Sequence, residues 1–225
     1  MSAISPRWPI VLFDLDGTLT DPQVGITRCF AHGLAAVGLR VDDPATLRPF
    51  IGPPLIEGFG AMGVPEAKID DAIAAYRERF VTVGMFENAL VEGIDDLLRA
   101  LVGAGARLAV ATSKPEPFAV TILEHFSVAA AFEVIAGATL DNQRRHKDEV
   151  IAHAIDSLGY PDAHAMVMIG DREHDVFGAR AHGLASIGVT WGYGSHGELV
   201  DARADTIVES IDALRELLLT RPHRS

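Results

Sequence analysis

The chain has 225 residues, 48% hydrophobic and 22% charged, with a formal net charge of −12. This composition predicts a soluble globular fold, one large domain or one domain with a smaller insert, and excludes a disordered chain. The acidic balance argues against sequence-independent nucleic-acid binding, no apolar run approaches the roughly 18 residues of a bilayer span, and the lone Cys29 leaves no disulfide or thiolate metal cluster.

No basic segment followed by a long apolar core opens the chain, so the expected location is cytoplasmic. The first apolar run, residues 10–13, ends in VLFDLDGTLTD. Two carboxylates one residue apart at the tip of a buried strand repel each other and resist desolvation, so a compensating charge must lie nearby. From 22 to 90 no strand pattern follows. Phe30, Leu34 and Val37 mark one helical face, and Ile69, Ile73, Tyr76, Phe80 and Val83 a longer one. Between them RPFIGPPLIEGFGAMGVP, rich in Gly and Pro, reads as a loop with a short helix. Cys29 reads as a small core residue.

Beyond residue 90 strand and helix alternate. Apolar runs at 108–111, 134–136, 166–169 and 185–189, with a weaker one at 206–208, read as strands. Ile94, Leu97, Leu98 and Leu101 share a helical face; so do Val150, Ile151, Ala154 and Leu158, and Ile211, Leu214, Leu217 and Leu218. The predicted class is therefore α/β, a Rossmann-like parallel sheet with helices on both faces. The expected core is 1–21 and 91–225, with an all-helical domain at 22–90 inserted after the first strand. The ends, 1–7 and 220–225, are expected to fray.

Ligands of an open parallel sheet bind beyond the carboxyl ends of its strands, so the polar residues that follow the apolar runs should converge. These are Asp14, Asp16 and Thr18; Thr112, Ser113 and Lys114; Lys147 at the start of a helix; and GDREHD, with Asp171 and Asp175. So many carboxylates need a cation, and all-oxygen ligands suit Mg²⁺. Asp14 can attack a phosphorus atom as a nucleophile, and Asp16, two residues on and projecting to the same side, can exchange a proton with the leaving oxygen. Ionised Asp14, Asp171 and Asp175 against Mg²⁺ and Lys147 leave a nearly neutral site that accepts an anion. Thr112 offers a hydroxyl and Lys147 a point charge to phosphoryl oxygens.

DLDGT, VATSK, a solitary downstream lysine and GDREHD, in this order, resemble the four motifs of the haloacid dehalogenase superfamily. The likeness spans the chain, includes a helical cap inserted after the first motif, and resembles the phosphoglycolate phosphatase-like branch most. The resemblance implies an aspartyl-phosphate mechanism: Asp14 the nucleophile, Asp16 the general acid and then the base for water. Thr112, Ser113 and Lys147 would bind phosphate. Mg²⁺ would be held by Asp14, the carbonyl of Asp16, and Asp171, with Asp175 a ligand or the partner of one. Lys147 is preferred to Lys114 for the phosphate because it leads a helix whose amino end favours anions.

The remaining signals have plainer readings. Nine histidines show no HExxH spacing, so no zinc site is expected. GYGSHG, a literal GxGxxG at 192–197, lacks the rest of a dinucleotide-binding unit and reads as a turn bordering the site. Arg172 and His174 read as surface or structural residues. Arg48, near IGPP in the insert, is open between contact with a substrate anion and a solvated surface position.

The expected activity is Mg²⁺-dependent hydrolysis of a small phosphomonoester, phosphoglycolate-like or a nucleotide or sugar phosphate. The partner is a small phosphorylated metabolite, with no nucleic acid and no membrane. Two alternatives stand beside it. The chain also resembles actinobacterial protein tyrosine kinases of this superfamily in VFDLDGTLTD, VATSK and VTWGYG, which implies phosphoryl transfer to a protein, although no GK[ST] loop is present. A non-catalytic module that binds phosphate is the other. Asp16 disfavours dehalogenation, and Lys68, the one lysine of the insert, lies in a polar stretch unsuited to a Schiff base.

Overall fold

Ile10, Val11, Leu12 and Phe13 are all buried, as expected of a strand covered on both faces. In the computed structural model, which describes residues 5–141 and 143–220, this strand lies inside a six-stranded sheet. We number the sheet strands β1 (Ile10–Phe13), β2 (Arg107–Pro115), β3 (Val134–Ala138), β4 (Met166–Gly170), β5 (Ala185–Val189) and β6 (Thr206–Val208). Their spatial order is β3-β2-β1-β4-β5-β6, and every pairing is parallel.

The helices are α1 (Gln23–Ala36), α2 (Leu55–Ala61), α3 (Ile69–Thr82), α4 (Ile94–Gly103), α5 (Glu116–His125), α6 (Lys147–Ser157), α7 (Glu173–Ala181), α8 (His196–Asp201) and α9 (Ile211–Leu218). Period-two alternation sends Ile10 and Leu12 of β1 to one face, where they join Ala109, Ala111, Met166 and Met168 against Val150, Ile151 and Ala154 of α6. Val11 and Phe13 point the other way, and Phe13 meets Phe132 edge-on at 6.4 Å. Burying one such side chain stabilises the fold by about 1.5–3 kcal/mol.

The strand order reverses beside β1. From there β2 and β3 lie on one side and β4 to β6 on the other, so the crevice at the carboxyl ends opens between β1 and β4. Phe13 is in register with Val110 on one side and Ile169 on the other. This register brings the segments after β1, β2 and β4 to one edge.

The chain divides into two compact units, Met1–Thr20 with Leu90–Ser225, and Asp21–Ala89. The second contains α1, α2 and α3. Its core is aromatic: Phe30 lies 5.1 Å from both Phe59 and Tyr76, and Tyr76 stacks on Phe80 at 5.8 Å. Gly33 lets α1 approach α3, since a Cβ there would come within 2.6 Å of the Ala72 carbonyl. Cys29 is fully buried among these helices, as expected of a core residue.

Two expectations need correction. Val83 is 46% exposed and lies beyond the end of α3; the buried stripe runs Ala72, Tyr76, Phe80 in steps of four. Ser5–Pro6 does not fray but pairs antiparallel with Leu219–Thr220. The rest of the expected fraying, at 1–4 and 221–225, lies outside the described residues. Among the described residues, no helix is long and apolar enough to cross a membrane.

Candidate active site

Asp14 follows β1 directly, and its amide donates to the Ile169 carbonyl of β4 at 2.8 Å. That bond fixes the first carboxylate at the switch point. Asp171 follows β4 and is fully buried. Its Oδ2 accepts the Tyr193 amide at 2.7 Å, and its Oδ1 faces the Thr18 hydroxyl at 3.4 Å. Asp175, in the first turn of α7, accepts the Arg172 amide on Oδ2 at 3.1 Å, capping that helix and leaving Oδ1 to face the site.

Lys147 opens α6, where Glu149 secures the preceding turn by accepting the amides of Arg145 and His146 at 2.8 and 3.0 Å. Its buried ammonium lies 2.8 Å from Asp14 Oδ1 and 2.8 Å from Asp175 Oδ1, and donates to the Ala111 carbonyl at 3.0 Å. Burial pulls this ammonium down, but the Asp14 and Asp175 carboxylates more than offset it, so its pKa is raised.

The carboxylates are pushed the other way. Burial, then repulsion from Asp14 and Asp175, raises Asp171 to about 7. Burial raises Asp175 to about 6, with Lys147 opposing and Asp14 adding. Like-charged groups held this closely resist full ionisation unless positive charge is supplied.

The Oδ1 atoms of Asp14 and Asp175 are buried and accept no directed hydrogen bond, although each has Lys147 as an ion-pair partner. One oxygen each from Asp14, Asp171 and Asp175 lies within 4.8 Å of the others. Buried carboxylate oxygens so placed suit a hard divalent cation, so the residues present fit a metal.

Lys114 has a role the sequence did not reveal. Strand β2 runs past the expected 108–111 to Pro115, with a register shift between Thr112 and Pro115, and carries Lys114 to within 2.6 Å of Asp16 Oδ2. Burial raises the Asp16 carboxyl, against the lowering effect of Lys114, and its Oδ1 is buried without a hydrogen-bond donor. Thr112 is buried, its hydroxyl accepting the Lys114 amide at 3.2 Å, and Ser113 beside it is half-buried. No simple sequence signal marks the Lys114 role, because the register shift interrupts the period-two alternation between Thr112 and Lys114.

Asp14, Asp171, Asp175 and Lys147 are thus brought together, with Asp16 and Lys114 paired on the adjoining segments. Arg48 belongs to the second unit, where its Nε donates to Gln23 Oε1 at 3.1 Å. His174 is exposed, and Arg172 pairs with Glu198 at 2.7 Å.

A parallel sheet with acidic residues and a buried lysine at its switch point defines the class, an α/β enzyme core with its site at the carboxyl ends of the strands. Residues 11–189 match the model of the haloacid dehalogenase-like hydrolases, and the chain belongs to that family. It is 47% identical over 213 residues to a 5'-nucleotidase of Pseudomonas aeruginosa, covering 94% of this chain and 96% of that one. Tyrosine-protein kinase PtkA of Mycobacterium tuberculosis is 46% identical over 212 residues, 93% of this chain and 72% of that protein. Among solved structures, one described as a predicted phosphatase from Clostridium acetobutylicum superposes with a TM-score of 0.88 at 45% identity, covering 93% of this chain and 97% of that one.

Proposed function

We propose that the chain is a Mg²⁺-dependent phosphatase that hydrolyses a small phosphomonoester through an aspartyl-phosphate on Asp14. The observation that carries this reading is the cluster of Asp14, Asp171 and Asp175, with oxygens within 4.8 Å, met by the buried Lys147. Family membership supports the hydrolytic class.

An Asp14 oxygen attacks phosphorus as the bond to the leaving oxygen breaks, and Asp16 gives that oxygen its proton. In the second half Asp16 takes a proton from water. The water oxygen then attacks phosphorus, the bond to Asp14 breaks, and phosphate departs. Lys147 and the Thr112 hydroxyl orient the phosphoryl oxygens and oppose their charge, with Ser113 beside them. Mg²⁺, held by Asp14, Asp171 and the Asp16 carbonyl with Asp175 as ligand or partner, would offset the charge that gathers on those oxygens. The unit Asp21–Ala89 serves as the cap, with Arg48 as its candidate contact to a substrate anion.

The nucleotidase relative makes nucleoside monophosphates the first substrates to try. Phosphate release is measured from a panel of nucleoside monophosphates, phosphoglycolate, sugar phosphates and phosphotyrosine, with Mg²⁺ and with EDTA. Mg²⁺-dependent release from one class supports the reading; a folded protein silent on the whole panel contradicts it.

The likeness to PtkA favours a second reading, transfer of the phosphoryl group to a protein tyrosine. Both reactions would begin at one site and differ in the acceptor. Incubation with γ-labelled ATP and a tyrosine-containing acceptor separates them. Label on tyrosine that is lost in the Asp14→Asn variant supports transfer; label released as phosphate supports hydrolysis.

A further inference from the structure

The GYGSHG segment, read from sequence as a turn, and Trp191 just before it pack against Asp171 and the Thr18 backbone. Trp191 Nε1 donates to the Thr18 carbonyl at 3.2 Å, and the Tyr193 amide donates to Asp171 Oδ2 at 2.7 Å. A Cβ on Gly192 would overlap the Asp171 carboxylate, and one on Gly194 would overlap the Asp171 carbonyl. These glycines allow close approach to a carboxylate of this chain.

The segment continues into α8, whose first turn carries Glu198. Ser195 Oγ caps this helix by accepting the Glu198 amide at 3.0 Å. Glu198 Oε1 reaches back to accept Arg172 Nε at 2.7 Å and the Glu173 amide at 3.0 Å. Arg172 and Glu173 are the two residues directly after Asp171, and the Arg172 amide caps onto Asp175. One carboxylate therefore ties down the turn on which both Asp171 and Asp175 stand.

We propose that Glu198 is a positioning residue for the metal-binding carboxylates. It acts through Arg172 and Glu173, while Trp191 holds the backbone of Thr18, whose hydroxyl donates to Asp171 Oδ1. The inference rests on the reading of Asp14, Asp171 and Asp175 as metal ligands. Three oxygens on two loops form one site when both loops are held, and here the holding is done by groups that do not touch the metal. Outer partners of metal ligands typically change affinity or activity about 10–100-fold when removed.

The test is metal affinity of the full chain, with Mn²⁺ as the probe followed by its paramagnetic resonance signal. Wild type, Asp171→Asn, Glu198→Ala, Glu198→Gln and Trp191→Phe are compared, with circular dichroism reporting the fold. Glu198→Ala is expected to raise Kd at least about tenfold. Glu198→Gln keeps an oxygen for the Arg172 and Glu173 donors and is expected to stay within about threefold of wild type. Trp191→Phe keeps an aromatic ring, smaller than the indole, and loses the N–H, and is expected to raise Kd by about threefold or more.

If wild type fails to bind Mn²⁺, or Asp171→Asn binds as wild type does, the metal-site reading itself falls. If wild type binds, Asp171→Asn does not, and a folded Glu198→Ala binds as wild type does, the positioning role is overturned. Should Glu198→Ala not fold, a wild-type Kd in a folded Arg172→Ala variant, which removes the side chain through which Glu198 acts, overturns it instead.

Discussion

Lys147 Nζ lies 2.8 Å from Asp14 Oδ1 in the interior of the protein, and the same ammonium lies 2.8 Å from Asp175. A single buried cation thus stands between the proposed nucleophile and a proposed metal partner. Its position at the first residue of α6 also places a helix amino end beside the proposed phosphate site.

Replacing Lys147 with Met leaves two buried carboxylates facing each other. Breaking a buried ion pair from one side typically costs about 3–5 kcal/mol. Urea unfolding in EDTA is expected to show a loss of that order, with part of it recovered when Mg²⁺ is added. An unchanged midpoint would mean that Lys147 does not compensate these charges.

The raised carboxylates set the pH dependence of the metal-free protein. Asp171 titrates near 7 in the fold against an ordinary 3.8, and Asp175 near 6. Between the unfolded and folded values the native state holds protons that the unfolded chain has released, so stability falls as pH rises through that window. In EDTA, Tm is expected to drop from about pH 5 to about pH 7.5, and added Mg²⁺ is expected to raise Tm more at the upper end. A Tm that climbs over this range in EDTA would contradict the account.

Much of this was legible in the sequence because buried parallel strands are nearly continuous apolar runs, and all six sheet strands lie where those runs do. Asp14, Asp171, Asp175 and Lys147 were legible because each stands just past a strand or at a helix start, where the topology converges. What escaped were interactions between distant segments. The Lys114–Asp16 pair depends on a strand that continues through a register shift, and the grip of Trp191, Tyr193 and Glu198 depends on backbone groups with no sequence signature. GYGSHG matched a dinucleotide pattern because close backbone approach requires glycine, whichever anionic group is approached. Val83 was misplaced because periodicity does not mark where a helix stops.

The glycine cradle gives a structural prediction. In Gly194→Ala the new methyl would meet the Asp171 backbone carbonyl, which cannot move without disturbing β4 and its turn. Overpacking of this kind typically costs about 1–3 kcal/mol. Gly197→Ala, whose nearest neighbour would be Ser195 Oγ at 3.7 Å, serves as the control. Equal thermal stability of the two variants would contradict the close packing.

Thr112 is buried, its hydroxyl accepting the Lys114 amide, whereas Ser113 is half-buried. Losing a hydrogen bond to a charged group typically costs about 1.5–3 kcal/mol, so Thr112→Val is expected to lower kcat/KM about 10–100-fold. Ser113→Ala is expected to change it less. The reverse order would assign the phosphate contact to Ser113.

The central claim is a covalent intermediate on Asp14, and reductive trapping during turnover tests it most directly. Borohydride reduces an acyl phosphate to the alcohol, so a turning-over enzyme quenched with it should carry homoserine at position 14, mapped by peptide mass spectrometry. The account predicts that product in wild type with substrate and Mg²⁺, and its absence without substrate or in Asp14→Asn. Sustained phosphate release with Asp14 unmodified, or continued turnover by Asp14→Asn, would contradict it.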